Sequence, residues 1–257
     1  MTTLQRAIET VTTANDKAFI PYIMAGDGGL DTIKQQILFL QQHGATAIEV
    51  GIPFSDPVAD GPTIQAAGLR ALEAGANLRT ILAEIASFKE EIHIPLVVMT
   101  YLNPIIRYGI EAFVEAAEAA NIKGLIVPDM PLEEADMLTD ALAGHDIALV
   151  QLISLTSPTE RIEKLAAAAQ GFIYAVTVNG ITGTREGFDE ALHEHLSALK
   201  SVADIPVLAG FGISTREHVE AMNRSVDGVI VGSAIVKAFH ENRLAAIEAL
   251  LTVPANQ

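Results

Sequence analysis

A carboxylate stands in the middle of an apolar stretch, where a buried acid could carry out proton transfer. The stretch reads Ala47-Ile48-Glu49-Val50-Gly51, and strand alternation places Glu49 on one face with the small residues Ala47 and Gly51. Burial without a cationic partner raises the pKa of a carboxyl group, because it penalises the charged form. Glu49 is therefore a candidate general acid or base for catalysis near neutral pH.

The alternative interpretation of Glu49 is a buried ion pair with a lysine or arginine on a neighbouring strand. None of the eight predicted strands, whose limits are given below, contains either residue type. The same absence argues against Schiff-base chemistry, which needs a lysine in the site. The seven histidines fall in predicted helices, helix ends or loops, so no metal site is predicted, and no G-x-S-x-G nucleophile motif occurs. Carboxylate acid–base catalysis is the chemistry that remains.

Two loops of opposite composition follow predicted strands. Ile52–Pro62 contains three prolines, so it should be stiff, and it carries a second carboxylate, Asp60, for which a turn or helix-capping role is the alternative. Thr177–Gly187 contains three glycines and no proline, which is typical of a mobile lid, although an ordinary flexible loop has the same composition. Tyr174, just before this loop, could contact a ligand or belong to the core.

Glycines also follow the last two predicted strands, in Ala209–Ser214 and Val231–Val236. Glycine lets backbone N–H groups approach an anion, and the dipole of a following helix favours its charge. Loops after the seventh and eighth strands of barrels often bind phosphate in this way. A phosphate site made of backbone is thus predicted here, with tight strand-to-helix packing as the alternative.

These candidates need a scaffold, and the sequence alternates short apolar runs with longer helical patterns. The predicted strands are Ala18–Ala25, Ala47–Gly51, Pro95–Tyr101, Gly124–Pro128, Ala148–Ile153, Phe172–Val176, Pro206–Gly210 and Gly228–Gly232. The predicted helices are Leu4–Ala14, Leu30–Gln42, Thr63–Ala74, Leu78–Glu90, Ile110–Ala120, Leu132–Ala143, Thr159–Ala169, Gly187–Lys200, Thr215–Asn223 and Ala234–Leu251. Such alternation predicts an α/β fold with parallel strands. Eight units favour a single (β/α)8 TIM barrel with an extra N-terminal helix, one catalytic domain over residues 1–257, with chemistry at the carboxyl ends of the strands.

Composition limits the partners and the compartment. The formal net charge of −16 would repel nucleic acids and anionic membranes, so neither is expected as a partner. The absence of cysteine excludes disulfides and thiolate metal sites. The N-terminus lacks an apolar signal segment, and no apolar run reaches the roughly 18 residues that a membrane span needs. By elimination, the cytoplasm is the expected compartment.

The segment from Glu49 to Gln65, EVGIPFSDPVADGPTIQ, resembles the signature segment of tryptophan synthase alpha subunits. Further motifs of that family occur in the family's order, at Met99–Pro104, Gly124–Pro131, Gly180–Gly183, Gly210–Ser214 and Asp227–Ala234. The resemblance therefore extends over nearly the whole chain.

The resemblance implies a lyase of tryptophan biosynthesis that cleaves indole-3-glycerol phosphate to indole and glyceraldehyde 3-phosphate. Glu49 would protonate C3 of the indole, and Asp60 would accept a hydrogen bond from the indole N–H and stabilise the developing cation. The implied substrate-binding residues are Tyr22, Thr100, Val127, Tyr174 and Thr182, with Asp129 at the border of the pocket. The implied phosphate-binding residues are Gly183, Phe211, Gly212, Gly232 and Ser233.

The resemblance also implies a partner, a beta subunit that carries pyridoxal phosphate and receives the indole within an alpha2beta2 tetramer. This chain would then hold no cofactor and no metal of its own, and Pro53, Asp56 and Asp129 would face the partner. One alternative is another phosphate-binding barrel enzyme, such as an epimerase or a prenyl-glyceryl-phosphate synthase, although these would lack the Glu49–Gln65 segment. The other is a weakly active subunit that mainly activates a beta chain.

Overall fold

A computed structural model describes residues 1–154, 156–177, 185–210 and 212–251, and only the backbone of residues 185–191. Within these residues the chain alternates strands and helices, as predicted. The strands are β1 Ala18–Met24, β2 Ile48–Gly51, β3 Leu96–Met99, β4 Ile122–Ile126, β5 Ala148–Leu149, β6 Gln151–Ser154, β7 Ile173–Val176, β8 Val207–Gly210 and β9 Gly228–Val231.

All nine described strands belong to one parallel sheet, in the order β5-β4-β3-β2-β1-β9-β8-β7-β6. The two strands at the ends of this order, β5 and β6, are separated in sequence by Val150 alone, whose N–H donates to the Leu125 carbonyl at 2.9 Å. The predicted fifth strand is therefore divided at Val150, where its pairing changes from β4 to β7. This change of partner closes the sheet into the expected TIM barrel.

Helices fill the connections between the strands, and most match the predicted limits within a few residues. They are α1 Thr3–Thr13, α2 Asp31–Gln42, α3 Pro62–Glu73, α4 Leu78–Ser87, α5 Leu102–Tyr108, α6 Ile110–Ala119, α7 Asp136–Leu142, α8 Thr159–Ala168, α9 Arg185–Val202, α10 Arg216–Asn223, α11 Ser233–His240 and α12 Leu244–Leu251. The predicted final helix is two helices, because Asn242 adopts a left-handed conformation with φ of 53° between them. Helix α5 was not predicted.

The extra helix α1 closes one end of the barrel. The side chain of Leu4 is fully buried, and its Cδ2 lies 2.7 Å from where a Cβ on Gly124 would stand and 2.9 Å from the equivalent point on Gly171. Thr3 fixes the start of the helix, because its N–H and hydroxyl both donate to the Asp146 carboxylate, at 2.9 and 2.5 Å. Gly124 on β4 and Gly171, just before β7, therefore make room for a side chain that seals the barrel interior.

The register of the first four strands sets the inward-facing layer in which the site lies. Tyr22 pairs with Glu49, Glu49 with Val97, and Val97 with Gly124. Since Gly124 faces Leu4 inside the barrel, alternation places these four residues inside as well. No helix in the described part of the chain is long and apolar enough to cross a membrane.

Candidate active site

Glu49 is buried in the barrel with 1% of its surface exposed. Its Oε2 atom has no hydrogen-bond partner among the described residues. Burial, and after it the nearby charge of Asp60, raises the pKa of Glu49 to about 8. The predicted desolvated carboxyl group is confirmed, and at neutral pH its acid form predominates.

The prediction that the strands contain no lysine or arginine is wrong in one detail. Strand β4 begins at Ile122 rather than Gly124 and so includes Lys123. Because Gly124 faces inward, its neighbour Lys123 faces the outside of the barrel, where its Nζ lies 3.3 Å from Asp146 Oδ2. The lysine is therefore no partner for Glu49, and the argument from the strands still holds.

Asp60 lies in the loop after β2 and is held by three hydrogen bonds. Its N–H donates to the Pro57 carbonyl at 3.0 Å, and its carbonyl accepts from Gln65 Nε2 at 2.8 Å. The hydroxyl of Tyr101 donates to Asp60 Oδ2 at 3.0 Å and accepts from the Ala59 N–H at 3.0 Å. Burial raises the pKa of Asp60, and the hydrogen bond from Tyr101 opposes that rise. Asp60 is thus more than a turn residue, because its carboxylate is oriented by Tyr101, which follows the neighbouring strand β3.

Two buried tyrosines, Tyr22 and Tyr174, lie near enough to interact electrostatically with the two carboxylates. The Tyr22 hydroxyl lies 1.9 Å from the position of a Cβ on Gly51, and the Tyr174 hydroxyl lies 2.4 Å from the same position on Gly210. Each ring therefore fills a notch left by a glycine on the next strand. Burial, and then the charges of the two carboxylates, raises the pKa of both tyrosines well above 10. Both phenols stay protonated, and the ring of Tyr22 fills the space that the missing side chain of Gly51 leaves.

The remaining predicted pocket residues occupy two places. Thr100 directly follows β3, is 1% exposed, and its hydroxyl lies 3.4 Å from the Tyr101 carbonyl. Val127 follows β4, is buried, and lines a cavity of about 120 Å³ together with Gln151 and Leu165. Thr100 is therefore next to the residue that holds Asp60, whereas Val127 borders a separate space beside α8.

The predicted phosphate residues are described only in part. Gly212 follows β8 and has a φ of 76°, which favours glycine. Gly232 follows β9, and a Cβ added to it would stand 3.7 Å from Tyr22 Cβ. Ser233 is the first residue of α11, a helix whose described residues include no side-chain cap for its first turn. The predicted residues Thr182, Gly183 and Phe211 lie outside the described residues. Residues 178–184 of the predicted lid lie outside them as well.

Comparison with known proteins gives one consistent result. The family model described as tryptophan synthase alpha chain matches residues 8–256. The chain belongs to the tryptophan synthase alpha chain family. A tryptophan synthase alpha chain from Listeria monocytogenes is 53% identical over 234 residues, covering 91% of this chain and 90% of that protein. One from Bacillus cereus is 51% identical over 227 residues, covering 88% of each.

Solved structures agree with this membership of the tryptophan synthase alpha chain family. A structure of Mycobacterium tuberculosis tryptophan synthase matches with a TM-score of 0.90 at 35% identity, over 100% of this chain and 99% of that one. Members of the family are enzymes that cleave indole-3-glycerol phosphate. The alternative of another phosphate-binding barrel family is thereby excluded.

The loops predicted to face a partner of this alpha chain differ in exposure. Asp56 and Asp129 are exposed, and Asp129 Oδ1 accepts from the Leu102 N–H at 2.9 Å, at the start of α5. Pro53 is buried within the chain and lines a cavity of about 350 Å³ with Phe54 and Arg79. The described residues include no group of three or more histidines, aspartates or glutamates that could hold a metal ion.

Two residues of the alpha chain site were not predicted as functional. Tyr101 lies inside the predicted third strand, and Gln65 lies inside the signature segment, but neither was assigned a role. The position of Tyr101 at the carboxyl end of a barrel strand is the signal that could have identified it. For Gln65 the sequence holds no comparable signal, because its bond to the Asp60 carbonyl depends on the path of the loop.

Proposed function

We propose that this chain cleaves indole-3-glycerol phosphate with Glu49 as general acid and base and Asp60 as the electrostatic partner. The observation that carries the proposal is the burial of Glu49 beside the charge of Asp60, with no cationic partner among the described side chains. A carboxyl group with a pKa of about 8 holds its proton at neutral pH and can deliver it to carbon.

The proposed reaction balances without a metal or a lysine. Glu49 gives its proton to C3 of the indole, and the ring nitrogen becomes the positive end of the cation. The Glu49 carboxylate then takes the proton of the side-chain hydroxyl next to C3. The bond from C3 to the side chain breaks, the aldehyde forms, and the bonding electrons neutralise the ring nitrogen. Asp60 stabilises the cation by accepting a hydrogen bond from the ring N–H.

A single well-placed acid or base contributes about 10²–10⁴-fold to a rate, so the remaining acceleration needs binding and electrostatics. Asp60 supplies a negative charge fixed by Tyr101 and Gln65. The phosphate would bind Gly183, Phe211, Gly212, Gly232 and Ser233. Supporting this placement, Gly212 and Gly232 follow the adjacent strands β8 and β9, and α11 begins at Ser233. We take residues 1–257 as one catalytic domain.

We further propose a beta subunit as partner, within an alpha2beta2 tetramer. Pyridoxal phosphate would belong to that subunit, and this chain would supply it with indole. The exposed carboxylates of Asp56 and Asp129, and the cavity beside Pro53, are the features of the proposed contact face. Thr100, Tyr22 and Tyr174 would border the indole and Thr182 would complete the pocket, whereas Val127 lines the separate space beside α8.

The test is the release of indole from indole-3-glycerol phosphate, measured with and without a beta subunit. Wild type should release indole, and Glu49→Gln should lose at least about 10²-fold in kcat, because the amide cannot transfer the proton. Glu90→Gln, at an exposed glutamate, is the matched control and should retain the wild-type rate. No release by wild type under either condition would refute the reaction, and full activity of Glu49→Gln would refute the mechanism.

A further inference from the structure

We infer that Tyr101 is a positioning residue whose hydroxyl engages Oδ2 of Asp60 and leaves Oδ1 as the oxygen that accepts the substrate N–H. The inference rests on the proposed function, since it gives Asp60 its orientation toward the indole. It depends on the geometry of a single hydroxyl group that contacts both the loop backbone and the carboxylate.

The direction of these hydrogen bonds follows from a count of protons. A tyrosine hydroxyl has one proton to donate, and a backbone N–H can only donate. Because the Ala59 N–H donates to the Tyr101 oxygen at 3.0 Å, the phenolic proton is available for Asp60 Oδ2, also at 3.0 Å. An ionised carboxylate has no proton, so it can only accept from the Tyr101 hydroxyl, and this hydrogen bond favours the charged form of Asp60.

The tyrosine is itself fixed by elements outside the Asp60 loop. Tyr101 is 2% exposed and stands between β3 and the first residue of α5, Leu102, whose N–H is bound by Asp129. Within the Asp60 loop, Phe54 packs against the ring of Tyr101, with the centroids 5.2 Å apart. A rigid strand end thus holds both the backbone and the side chain of the loop that carries Asp60.

Removal of the Tyr101 hydroxyl should separate the packing of its ring from its hydrogen bond to Asp60. In Tyr101→Phe the ring and its packing on Phe54 remain, but Asp60 loses the donor that opposes the rise of its pKa. The pKa of Asp60 should rise, and the acid limb of the rate profile should move to higher pH. We expect kcat to fall roughly tenfold or more, as for loss of a hydrogen bond to a charged group, with a smaller change in KM.

The experiment measures kcat and KM against pH for wild type, Tyr101→Phe, Asp60→Asn and the double variant. Tyr108→Phe is the matched control, because the Tyr108 ring packs against Phe113 and Arg79. If Tyr101 acts through Asp60, Tyr101→Phe should cost less than about twofold in the Asp60→Asn background. An equal loss of kcat in both backgrounds, or an unchanged kcat in Tyr101→Phe, would overturn the inference.

A second measurement separates this inference from the proposed function. The carboxyl ¹³C shift of Asp60, followed by NMR against pH, reports its pKa without any turnover. A higher midpoint in Tyr101→Phe than in wild type and Tyr108→Phe supports the inference even if wild type releases no indole. An unchanged midpoint overturns it even if wild type is fully active.

Discussion

The hydroxyl oxygen of Tyr22 occupies the space beside the Gly51 backbone, 1.9 Å from where a Cβ would stand, and the ring atom Cζ lies 2.3 Å from that point. Tyr22 is on β1 and pairs with Glu49, and Gly51 is two residues further along β2. The tyrosine ring thus crosses in front of β2. Its position is fixed by the absence of a side chain at residue 51.

Gly51→Ala should therefore displace Tyr22 from the mouth of the barrel. The added methyl overlaps the ring itself, so we expect a loss of about 1–3 kcal/mol in the free energy of unfolding and a large fall in kcat/KM. Gly68→Ala is the control, because its Cβ would stand 3.5 Å from Met24 Cε in a helix and should stabilise by about 0.5–1 kcal/mol. Urea titration and indole release measure both effects, and a fully stable, active Gly51→Ala enzyme would contradict the packing.

The activity should fall as the pH rises through about 8, because the proposed mechanism requires the protonated form of Glu49. Asp60→Asn removes a charge that raises the pKa of Glu49, so the alkaline limb should move to lower pH in that variant. Profiles of kcat/KM against pH for the two proteins test this. An alkaline limb that stays at the same pH in Asp60→Asn would show that the two carboxyl groups are not coupled.

Glu49 should also make the stability depend on pH. Its pKa is higher in the folded chain than in the unfolded chain, so between about 4.5 and 8 the folded state binds the extra proton. The free energy of unfolding of wild type relative to Glu49→Gln should therefore decrease across that window, by up to about 1.4 kcal/mol per pH unit, and level off above it. Urea titrations at several pH values measure the difference. If the difference in free energy of unfolding stays constant from pH 5 to 8, the pKa of Glu49 is not shifted by folding.

Leu4→Ala should destabilise the fold while leaving the site chemistry intact. The side chain is fully buried against the glycines of the barrel floor, so its loss leaves a cavity that costs about 2–5 kcal/mol. Leu69→Ala, at a residue 58% exposed, should change the free energy of unfolding by less than about 0.5 kcal/mol. If the two variants unfold at the same urea concentration, α1 does not seal the barrel as described.

The stability contributed by the ion pair between Asp27 and Arg70 should depend on its bidentate geometry more than on charge alone. Arg70 Nε lies 2.7 Å from Asp27 Oδ1 and Nη2 lies 2.6 Å from Oδ2, which joins the turn after β1 to helix α3. Arg70→Lys keeps the charge but loses the paired geometry, and should cost about 1 kcal/mol. Arg224→Lys, at an exposed arginine, is the control for thermal unfolding. Equal melting temperatures would assign the pair no structural role.

The strand pattern and Glu49 could be predicted because each leaves a mark in the local sequence. A single acid inside an apolar run stands out, and strand limits follow the runs themselves. The division of the fifth strand at Val150 could not be predicted, since it reflects a change of pairing partner. The left-handed Asn242 that separates α11 from α12 is likewise invisible to helical periodicity.

The contact between Tyr101 and Asp60 shows why parts of the site escaped prediction. The two residues are distant in sequence, and their bond depends on the path of a loop and the end of a strand. Helix α5, which starts just after Tyr101, was missed because it has seven residues and carries Pro104 in its first turn, where proline is tolerated. Local sequence patterns identify Glu49, but only the fold shows that Tyr101 orients Asp60.

The pairing of β1 with β9 has a consequence for how the chain is made. Ala18 pairs with Gly228, so one edge of the first strand has no partner until nearly the whole chain has left the ribosome. At synthesis rates of about 5–20 residues per second, that apolar edge stays open for many seconds. During this interval it is a template for pairing with other nascent chains, and it is the segment that a chaperone would need to cover.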